Sequence, residues 1–290
     1  MKILITGADG QLGTDLCIAL KKHALALLTI GDGDIADADF IRGQALNSRP
    51  DIIINTASFV RVDDCEDWRD LAFRVNALGA KNVAVAAQEV KARLVHISTD
   101  YVFGCEAGQR STPYLEADEP APCNVYGASK LEGDNNVRAL CSDHIIVRAS
   151  ALFGTAGAMG KGGNFVETML KLAREKPELR VVDDQVFSPT YTRDLAFKIA
   201  QIIETGFKGI INVTNSGACS WYEFAVEILR QAGLKTPVIP ITSAQFPQKA
   251  RRPGYSVLGH GELQRLGLDD LTPWQDALHD YLIEKRHISV

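Results

Sequence analysis

The sequence has no CxxC cysteine pair and no apolar run near the 18 or so residues that span a bilayer. Its six cysteines are scattered without metal-like spacing, so we expect reduced thiols, no metal site and a cytoplasmic protein. There is no basic run and the net charge is −5, which argues against a nucleic-acid partner. Apolar strand residues follow Met1 directly, so neither a leader segment nor a membrane association is expected.

Repeats, low-complexity tracts and long linkers are also missing from the sequence. The chain has 290 residues, of which 46% are hydrophobic, and it can therefore bury a large core. These features predict a globular protein, either one domain with an appended lobe or two lobes.

The N-terminal segment, MKILITGADGQLG, is a short apolar strand that leads into a turn with three glycines. A helix is predicted from about Gln11 to Lys22. Glycines at this spacing allow a tight turn, close approach of the backbone to a pyrophosphate and close packing of helix on strand. The helix N-terminus adds free N–H groups and a positive dipole. We predict a dinucleotide-binding turn formed by Gly7, Asp9, Gly10, Gln11, Leu12 and Gly13.

A second strand, Ala24 to Ile30, is followed by two acidic residues, Asp32 and Asp34. An acidic residue about 20 positions beyond the glycine turn usually binds the ribose 2′-hydroxyl of NAD. No lysine or arginine lies between His23 and Arg42 to bind a 2′-phosphate. NADH is therefore favoured over NADPH, with Asp32 as first candidate and Asp34 as second. The alternative is that both are ordinary loop residues.

Tyr126 and Lys130 are four residues apart, so on a helix they share a face. A cation near a phenol favours the phenolate and lowers the phenol pKa from its ordinary value of about 10. Tyr126 could then act as a general acid toward a carbonyl oxygen. Thr99 follows the apolar run Leu94 to Ile97, which predicts a hydroxyl at the carboxyl end of a buried strand. The alternative is a helix with an unrelated tyrosine and lysine.

The GxxGxxG turn combined with a downstream YxxxK resembles the short-chain dehydrogenase/reductase superfamily. More narrowly, the chain resembles the dTDP-4-dehydrorhamnose reductase family in STDYVF at 98–103, NVYGASKLEG at 124–133, GNFV at 163–166 and SPT at 188–190. The resemblance covers essentially the whole chain. It implies an NAD(P)H-dependent oxidoreductase that transfers a hydride from the nicotinamide to the C4 ketone of a nucleotide-linked deoxysugar, with Thr99, Tyr126 and Lys130 as the catalytic trio.

The fold that this resemblance implies is α/β, a Rossmann-type doubly wound parallel sheet with a smaller C-terminal α/β substrate lobe. Residues 1–150 and 188–215 are expected to form the NAD(P)-binding domain. Residues 151–187 and 216–290 are expected to form the substrate-binding lobe. A monomer or a homodimer is expected.

The resemblance also implies further binding residues. For the cofactor these are Thr56, Ala57, Ser58, Asn76 and Ser98, together with Tyr126 and Lys130. For the nucleotide-sugar substrate they are Val60, Asp100, Tyr101, Phe103, Ala151, Asn164, Phe165, Pro189, Thr190 and Arg252. Asn76 could instead be a buried amide with a purely structural role, and Arg252 part of a solvated basic pair. The glycine-rich segment 159–163, which contains Lys161, is expected either to close over a diphosphate or to be a surface loop.

The sequence departs from the family pattern in positions that concern the substrate. Ala151 stands where an aromatic residue usually lines the sugar site, Phe187 replaces an expected glycine, and Asp134 stands where glutamate is usual. The specific sugar therefore stays open. Two other functions also remain: a nucleotide-sugar epimerase or dehydratase, and a non-catalytic NAD(P)-binding regulatory subunit like that of methionine adenosyltransferase.

Overall fold

The computed structural model describes residues 1–105, 110–156 and 163–289. Its strands are β1 (Lys2–Thr6), β2 (Ala24–Leu28), β3 (Ile52–Asn55), β4 (Arg93–Thr99), β5 (His144–Ala149), β6 (Leu152–Phe153), β7 (Leu179–Val182), β8 (Val186–Phe187), β9 (Thr190–Tyr191), β10 (Gly209–Asn212), β11 (Cys219–Ser220) and β12 (Val238–Ile241). Its α-helices are α1 (Gln11–Ala19), α2 (Ala38–Ser48), α3 (Val62–Asp67), α4 (Arg69–Phe73), α5 (Ala80–Val90), α6 (Val125–Leu140), α7 (Phe165–Glu175), α8 (Thr192–Ile202), α9 (Trp221–Gln231), α10 (Gly261–Leu266) and α11 (Trp274–Glu284).

The central sheet has six parallel strands in the order β10-β5-β4-β3-β1-β2. Strands such as Ile52–Asn55 are buried along their whole length, as expected when helices cover both faces of a parallel sheet. From β1 the chain passes first to β2 on one side and then to β3 on the other. The crevice between the carboxyl ends of β1 and β3 is therefore the switch point at which this class of fold binds its ligands.

Helices cover both faces of the sheet, which confirms the doubly wound prediction. One core contains Leu12 and Leu16 of α1 together with Leu195 and Ile199 of α8. The core on the opposite face contains residues of α2, α5 and α6: Ile41, Ala45, Val83, Ala87 and Val137. Each helix buries one apolar stripe on the sheet, and these two cores fix the strand ends that carry the site.

A smaller lobe is built around an aromatic core. It contains α7, α9, α11 and short strand pairs, including the parallel pair β7 and β12. Leu263 of α10 packs instead in the core of the sheet, next to β10, although the predicted boundary places residues 216–290 in the lobe. The division of the chain into two domains stays a prediction.

Two helices that lead into the site begin at asparagine caps. The side chain of Asn124 accepts a hydrogen bond from the N–H of Gly127 at the start of α6. Asn164 accepts one from Glu167 N at the start of α7. Such caps satisfy N–H groups that have no partner within the helix, and they fix where each helix begins. Among the helices of the described ranges, none is both long enough and apolar enough to cross a membrane.

Candidate active site

A cavity of about 720 Å³ lies at the carboxyl ends of the central strands, where the sheet meets the lobe. Its walls come from the start of α1, the loop after β3, the end of β4, the start of α6 and several lobe segments. The residues predicted from the sequence that line it are Gly10, Gln11, Leu12, Thr56, Ser58, Val60, Ser98, Thr99, Asp100, Tyr101, Tyr126, Lys130, Ala151, Asn164 and Phe165.

The glycine turn is packed closely against the loop after β3. Gly7 has a positive φ of 69°, and a Cβ there would lie 2.8 Å from Thr56 Oγ1 and 2.9 Å from Ala57 N. A Cβ at Gly13 would lie 2.2 Å from the carbonyl oxygen of Gly7. Only glycine fits these contacts, which bring the start of α1 into the cavity wall. The exposed N–H groups of a helix start fit the pyrophosphate of a dinucleotide.

Both candidate ribose-binding aspartates have partners within the protein. The Asp32 carboxylate accepts hydrogen bonds from the backbone N–H and the hydroxyl of Thr29, both at 2.8 Å. Asp34 pairs with Arg74 at 2.6 Å. Strand β2 ends at Leu28 rather than at the predicted Ile30. Neither aspartate lines the cavity.

Asn76 lies in a π-helical segment, Arg74–Gly79, and all its hydrogen-bonding groups are used. Its Oδ1 accepts from Ser58 Oγ and Phe59 N, both at 2.8 Å. Its Nδ2 donates to the Phe59 carbonyl at 3.1 Å and to Ser129 Oγ at 2.9 Å. Ser129 in turn donates to the carbonyl of Tyr126. The buried amide therefore connects the loop after β3 to the first turn of α6, and it does not line the cavity.

Replacing Asn76 by Ala is expected to lower the free energy of unfolding by about 2 to 3 kcal/mol, because it leaves several buried polar groups unpaired. Denaturant unfolding measures the change. Asn136→Ala is the matched control on the neighbouring helix, since the Asn136 amide makes one hydrogen bond of 3.3 Å, to Ala77 O. Equal losses in the two variants would contradict the connecting role of Asn76.

Thr99, Tyr126 and Lys130 converge at one end of the cavity, as predicted. Thr99 is the last residue of β4, and its hydroxyl lies within hydrogen-bonding range of the Tyr126 phenol. Lys130 follows one turn later on α6, and its Nζ donates to the Ile97 carbonyl at 2.6 Å. The Tyr101 ring contacts the Tyr126 ring edge-on, with centroids 5.9 Å apart. Two hydroxyls and one ammonium thus share a single buried site.

The pKa of Tyr126 differs from the sequence-based expectation. Burial raises this pKa well above 10, and the neighbouring Thr99 side chain opposes the shift only in part. Burial is the largest cause, so the net shift is opposite in direction to the lowering expected from a nearby lysine. Burial also lowers the pKa of Lys130 to about 8. The phenol is consequently protonated at neutral pH, which is the form a general acid requires.

Asp100 is a buried carboxylate surrounded by hydroxyl groups. Its Oδ2 accepts hydrogen bonds from Ser150 at 2.9 Å and Ser256 at 2.6 Å, and its Oδ1 accepts from Thr99 at 3.1 Å. Burial raises the pKa of Asp100 to about 6, although these hydroxyls favour its charged form. The hydrogen bond to Asp100 thereby fixes the orientation of the Thr99 side chain. Ser150 and Ser256 were not among the predicted site residues, because nothing in the sequence shows that their segments meet.

Four predicted substrate-binding residues lie outside the cavity lining. The fully buried Phe103 stacks on Tyr114 with ring centroids 4.3 Å apart. Pro189 and Thr190 are also buried. Arg252 pairs with Asp63 at 3.0 Å, so it is neither free nor part of a solvated pair.

The lobe contributes an aromatic wall to the cavity, formed by Phe165, Phe187, Trp221 and Phe224. The ring centroids of Phe187 and Trp221 are 3.9 Å apart, and those of Phe165 and Trp221 are 4.6 Å apart. Helical spacing predicts a core position for Trp221 and Phe224, and both do pack in the lobe core. Periodicity cannot show that the edge of this core also faces a cavity. Ala151 belongs to the same lining, packs against the lobe core and has a positive φ of 41°.

The predicted closure of segment 159–163 cannot be followed, because residues 157–162 lie outside the described residues. Elsewhere, across residues 1–105, 110–156 and 163–289, no three His, Cys, Asp or Glu side chains are grouped to hold a metal ion.

Comparison with known proteins agrees with the sequence motifs. A family model described as the RmlD substrate binding domain matches residues 1–287. The spore coat polysaccharide biosynthesis protein SpsK of Bacillus subtilis is 43% identical over 98% of both chains. The dTDP-4-dehydrorhamnose reductase of Mycolicibacterium smegmatis is 40% identical, covering 96% of this chain and 84% of the relative.

A crystal structure of dTDP-4-dehydrorhamnose reductase from Bacillus anthracis, in complex with NADP, superposes with a TM-score of 0.92 at 41% identity. The match covers 98% of this chain and 99% of that one. The family model and these relatives each match nearly the whole length of the chain. The chain therefore belongs to the RmlD substrate binding domain family, in which the dTDP-4-dehydrorhamnose reductases are found.

Proposed function

We propose that this protein is a nicotinamide-dependent reductase of a nucleotide-linked 4-keto-deoxysugar, most like dTDP-4-dehydrorhamnose reductase, an enzyme of dTDP-L-rhamnose biosynthesis. The observation that carries the proposal is the meeting of the Thr99 and Tyr126 hydroxyls beside Lys130, in a cavity that also receives the start of α1. Relatives that carry the reductase name, at 35–40% identity over nearly the full chain, support the same reaction.

The side chains of this site suit the reduction of a carbonyl group. A bound nicotinamide supplies the hydride that adds to the carbonyl carbon. Tyr126 donates its phenolic proton to the carbonyl oxygen, so the ketone becomes an alcohol, and the Thr99 hydroxyl orients the same oxygen. Lys130 provides a positive charge next to the developing phenolate. The site is buried, which strengthens each of these interactions relative to water.

The lobe side of the cavity suits a nucleotide. Flat aromatic rings such as Trp221 and Phe165 suit stacking on a planar base, and backbone N–H groups at the start of α7 suit binding of its polar atoms. Replacement of an aromatic side chain by Ala151 on one wall, with Phe187 on another, changes the shape of the pocket without touching proton transfer.

Particular residues favour the reductase over a dehydratase and over a regulatory subunit. A dehydratase is expected to pair its threonine with two acidic residues, and here Thr99 and Asp100 are followed by Tyr101. A purely regulatory subunit has no need for a protonated phenol, a threonine hydroxyl and a buried lysine in one cavity.

The test is to incubate the purified protein with a panel of nucleotide 4-ketosugars and with NADH or NADPH, following the loss of absorbance of the reduced cofactor. We expect turnover with at least one ketosugar. Lys130→Met serves as the matched control for contaminating reductases, and its rate is expected to be near background. No turnover across the panel would overturn the proposal and favour the regulatory function.

We infer a preference for NADH from Asp32, which stands where a ribose 2′-hydroxyl is usually bound. The ratio of kcat/KM for the two cofactors in the same assay measures this preference. A clear advantage for NADPH would contradict it. The Arg74 guanidinium, 2.6 Å from Asp34, would then be the first side chain to replace.

A further inference from the structure

Helix α6 presents three ionisable side chains on one face at successive turns. Tyr126, Lys130 and Asp134 are spaced four residues apart, and on a helix such residues lie one above the other. The Lys130 and Asp134 side chains are 2% and 1% exposed. Tyr126 and Lys130 line the cavity, whereas Asp134 lies behind them and does not.

Cationic and neutral groups from the neighbouring elements face Asp134. Ser98 of β4 donates a hydrogen bond of 2.8 Å to its Oδ2. Arg148 Nε of β5 lies 3.9 Å from Oδ2, and His96 Nε2 of β4 lies 3.6 Å from Oδ1. Arg138, on α6 itself, adds a more distant positive charge. Burial and the charge of Lys130 lower the pKa of His96 well below 6.5, so His96 is neutral.

The His96 ring is held in place from its other side. Its Nδ1 pairs with Asn55 Nδ2 at 3.1 Å, and Asn55 Oδ1 accepts a hydrogen bond from Thr6 at 2.7 Å. These residues lie on β1, β3 and β4, directly beneath the strand ends that bear the glycine turn. These contacts fix the His96 ring with Nε2 toward Asp134, so one neighbour of the carboxylate is held in a single orientation.

Asp134 lies one helical turn from Lys130, and both side chains are buried. Burial lowers the pKa of Lys130 to about 8, and the Asp134 carboxylate opposes that shift. Loss of this carboxylate removes the opposing charge, and a buried lysine then loses its proton at a lower pH. Burial also raises the pKa of Asp134, whereas Arg148 and Lys130 stabilise its charged form.

We propose that Asp134 is a positioning residue whose carboxylate keeps the Lys130 ammonium charged beside Tyr126. This inference rests on the proposed reductase function, because that function gives the charged lysine its role in turnover. It assigns a role to a buried carboxylate that contacts no substrate. The shorter side chain of aspartate leaves Oδ1 without a hydrogen-bond partner among the described residues. Glutamate at this position is expected to preserve the effect.

The experiment measures kcat and NADH affinity between pH 6 and 10 for the full chain and for Asp134→Asn. Both quantities are expected to fall as Lys130 loses its proton, near pH 8 in the unsubstituted protein. Asp134→Asn is expected to move this midpoint down by about one pH unit or more, as for loss of a nearby opposite charge. Asp134→Glu is expected to keep the midpoint of the unsubstituted protein. In a Lys130→Arg background, Asp134→Asn is expected to produce no shift of the midpoint, because a guanidinium stays charged across this pH range.

Asp15→Asn is the matched control for loss of a buried carboxylate. The Asp15 side chain is 3% exposed and accepts a hydrogen bond from Thr192, so its loss is expected to reduce stability without moving the midpoint. If Asp134→Asn does not fold, the smaller Asp134→Ser, with room for water, replaces it. An unchanged midpoint in the Asp134 variant, or an equal shift in Asp15→Asn, would overturn the inference. NADH affinity is measured without substrate, so failure of the reductase proposal shows separately, as cofactor binding without turnover.

Discussion

Tyr126→Phe is expected to lower kcat by about 10²- to 10⁴-fold, the usual contribution of a positioned general acid. The phenol is the protonated group within hydrogen-bonding range of Thr99, and burial keeps its proton in place at neutral pH. Phenylalanine retains the ring and its edge-on contact with Tyr101. The substitution therefore removes one oxygen and leaves the shape of the cavity unchanged. Steady-state kinetics measures the loss, and NADH titration should give nearly the affinity of the unsubstituted protein.

The control for this prediction is Tyr222→Phe, because Tyr222 is a partly buried tyrosine of α9 that packs on the lobe core and does not line the cavity. Its kcat is expected to stay within about twofold of the starting value, as for a substitution away from reacting groups. Full activity of Tyr126→Phe would contradict the assignment of the acid. A parallel loss of NADH affinity and stability would show that the tyrosine acts through packing instead.

Local patterns were sufficient to predict the half of the site that lies close together in sequence. The strand, glycine turn and helix from residue 2 onward are formed by adjacent residues, so their chemistry is fixed locally. The Tyr126 and Lys130 pair is likewise set by one helix. Thr99 could be placed at the end of β4 because the apolar run before it has the length and β-branched content of a buried strand.

The sequence gives less information where a side chain has competing partners. Asp32 lies at the position of a ribose ligand, yet its carboxylate binds the backbone and hydroxyl of Thr29, a local contact that aspartate often makes in turns. The STDYVF motif that contains Phe103 suggests a binding residue. The chain makes a 3-10 turn at Asp100–Val102 directly after β4, and Phe103 then packs on Tyr114 inside the protein.

Contacts between distant segments were beyond sequence patterns altogether. The hydroxyls that surround Asp100 come from residues 50 and 156 positions away, and the hydrogen bonds of Asn76 cross to residue 129. The pKa of Tyr126 is raised, whereas the sequence pattern predicted that it would be lowered, and the reason is the same. Spacing showed the lysine nearby, whereas the extent of burial, which dominates the shift, depends on how the whole lobe covers the site.

Gly127→Ala is expected to reduce both stability and turnover, because α6 approaches the Thr99 segment too closely for a side chain. A Cβ at Gly127 would lie 2.1 Å from the carbonyl oxygen of Tyr101 and 3.1 Å from Pro122 Cβ. The backbone carbonyl cannot rotate away as a side chain would, so α6 and the end of β4 must separate. Overpacking of this kind costs about 1 to 3 kcal/mol, and a displacement of about 1 Å at a reacting group costs about 10²-fold in rate.

Gly43→Ala separates this steric effect from the general effect of replacing glycine in a helix. Gly43 lies in α2, and a Cβ there has no atom within 4 Å, so alanine is expected to stabilise the helix by up to about 1 kcal/mol. Thermal unfolding and kcat are measured for both variants. Since the added methyl group forces apart the two segments that carry Tyr126 and Thr99, kcat should fall in Gly127→Ala even at temperatures where the protein is fully folded. Normal kcat in folded Gly127→Ala would mean that the two hydroxyls need not meet for the reaction, and it would remove the geometric basis of the reductase proposal.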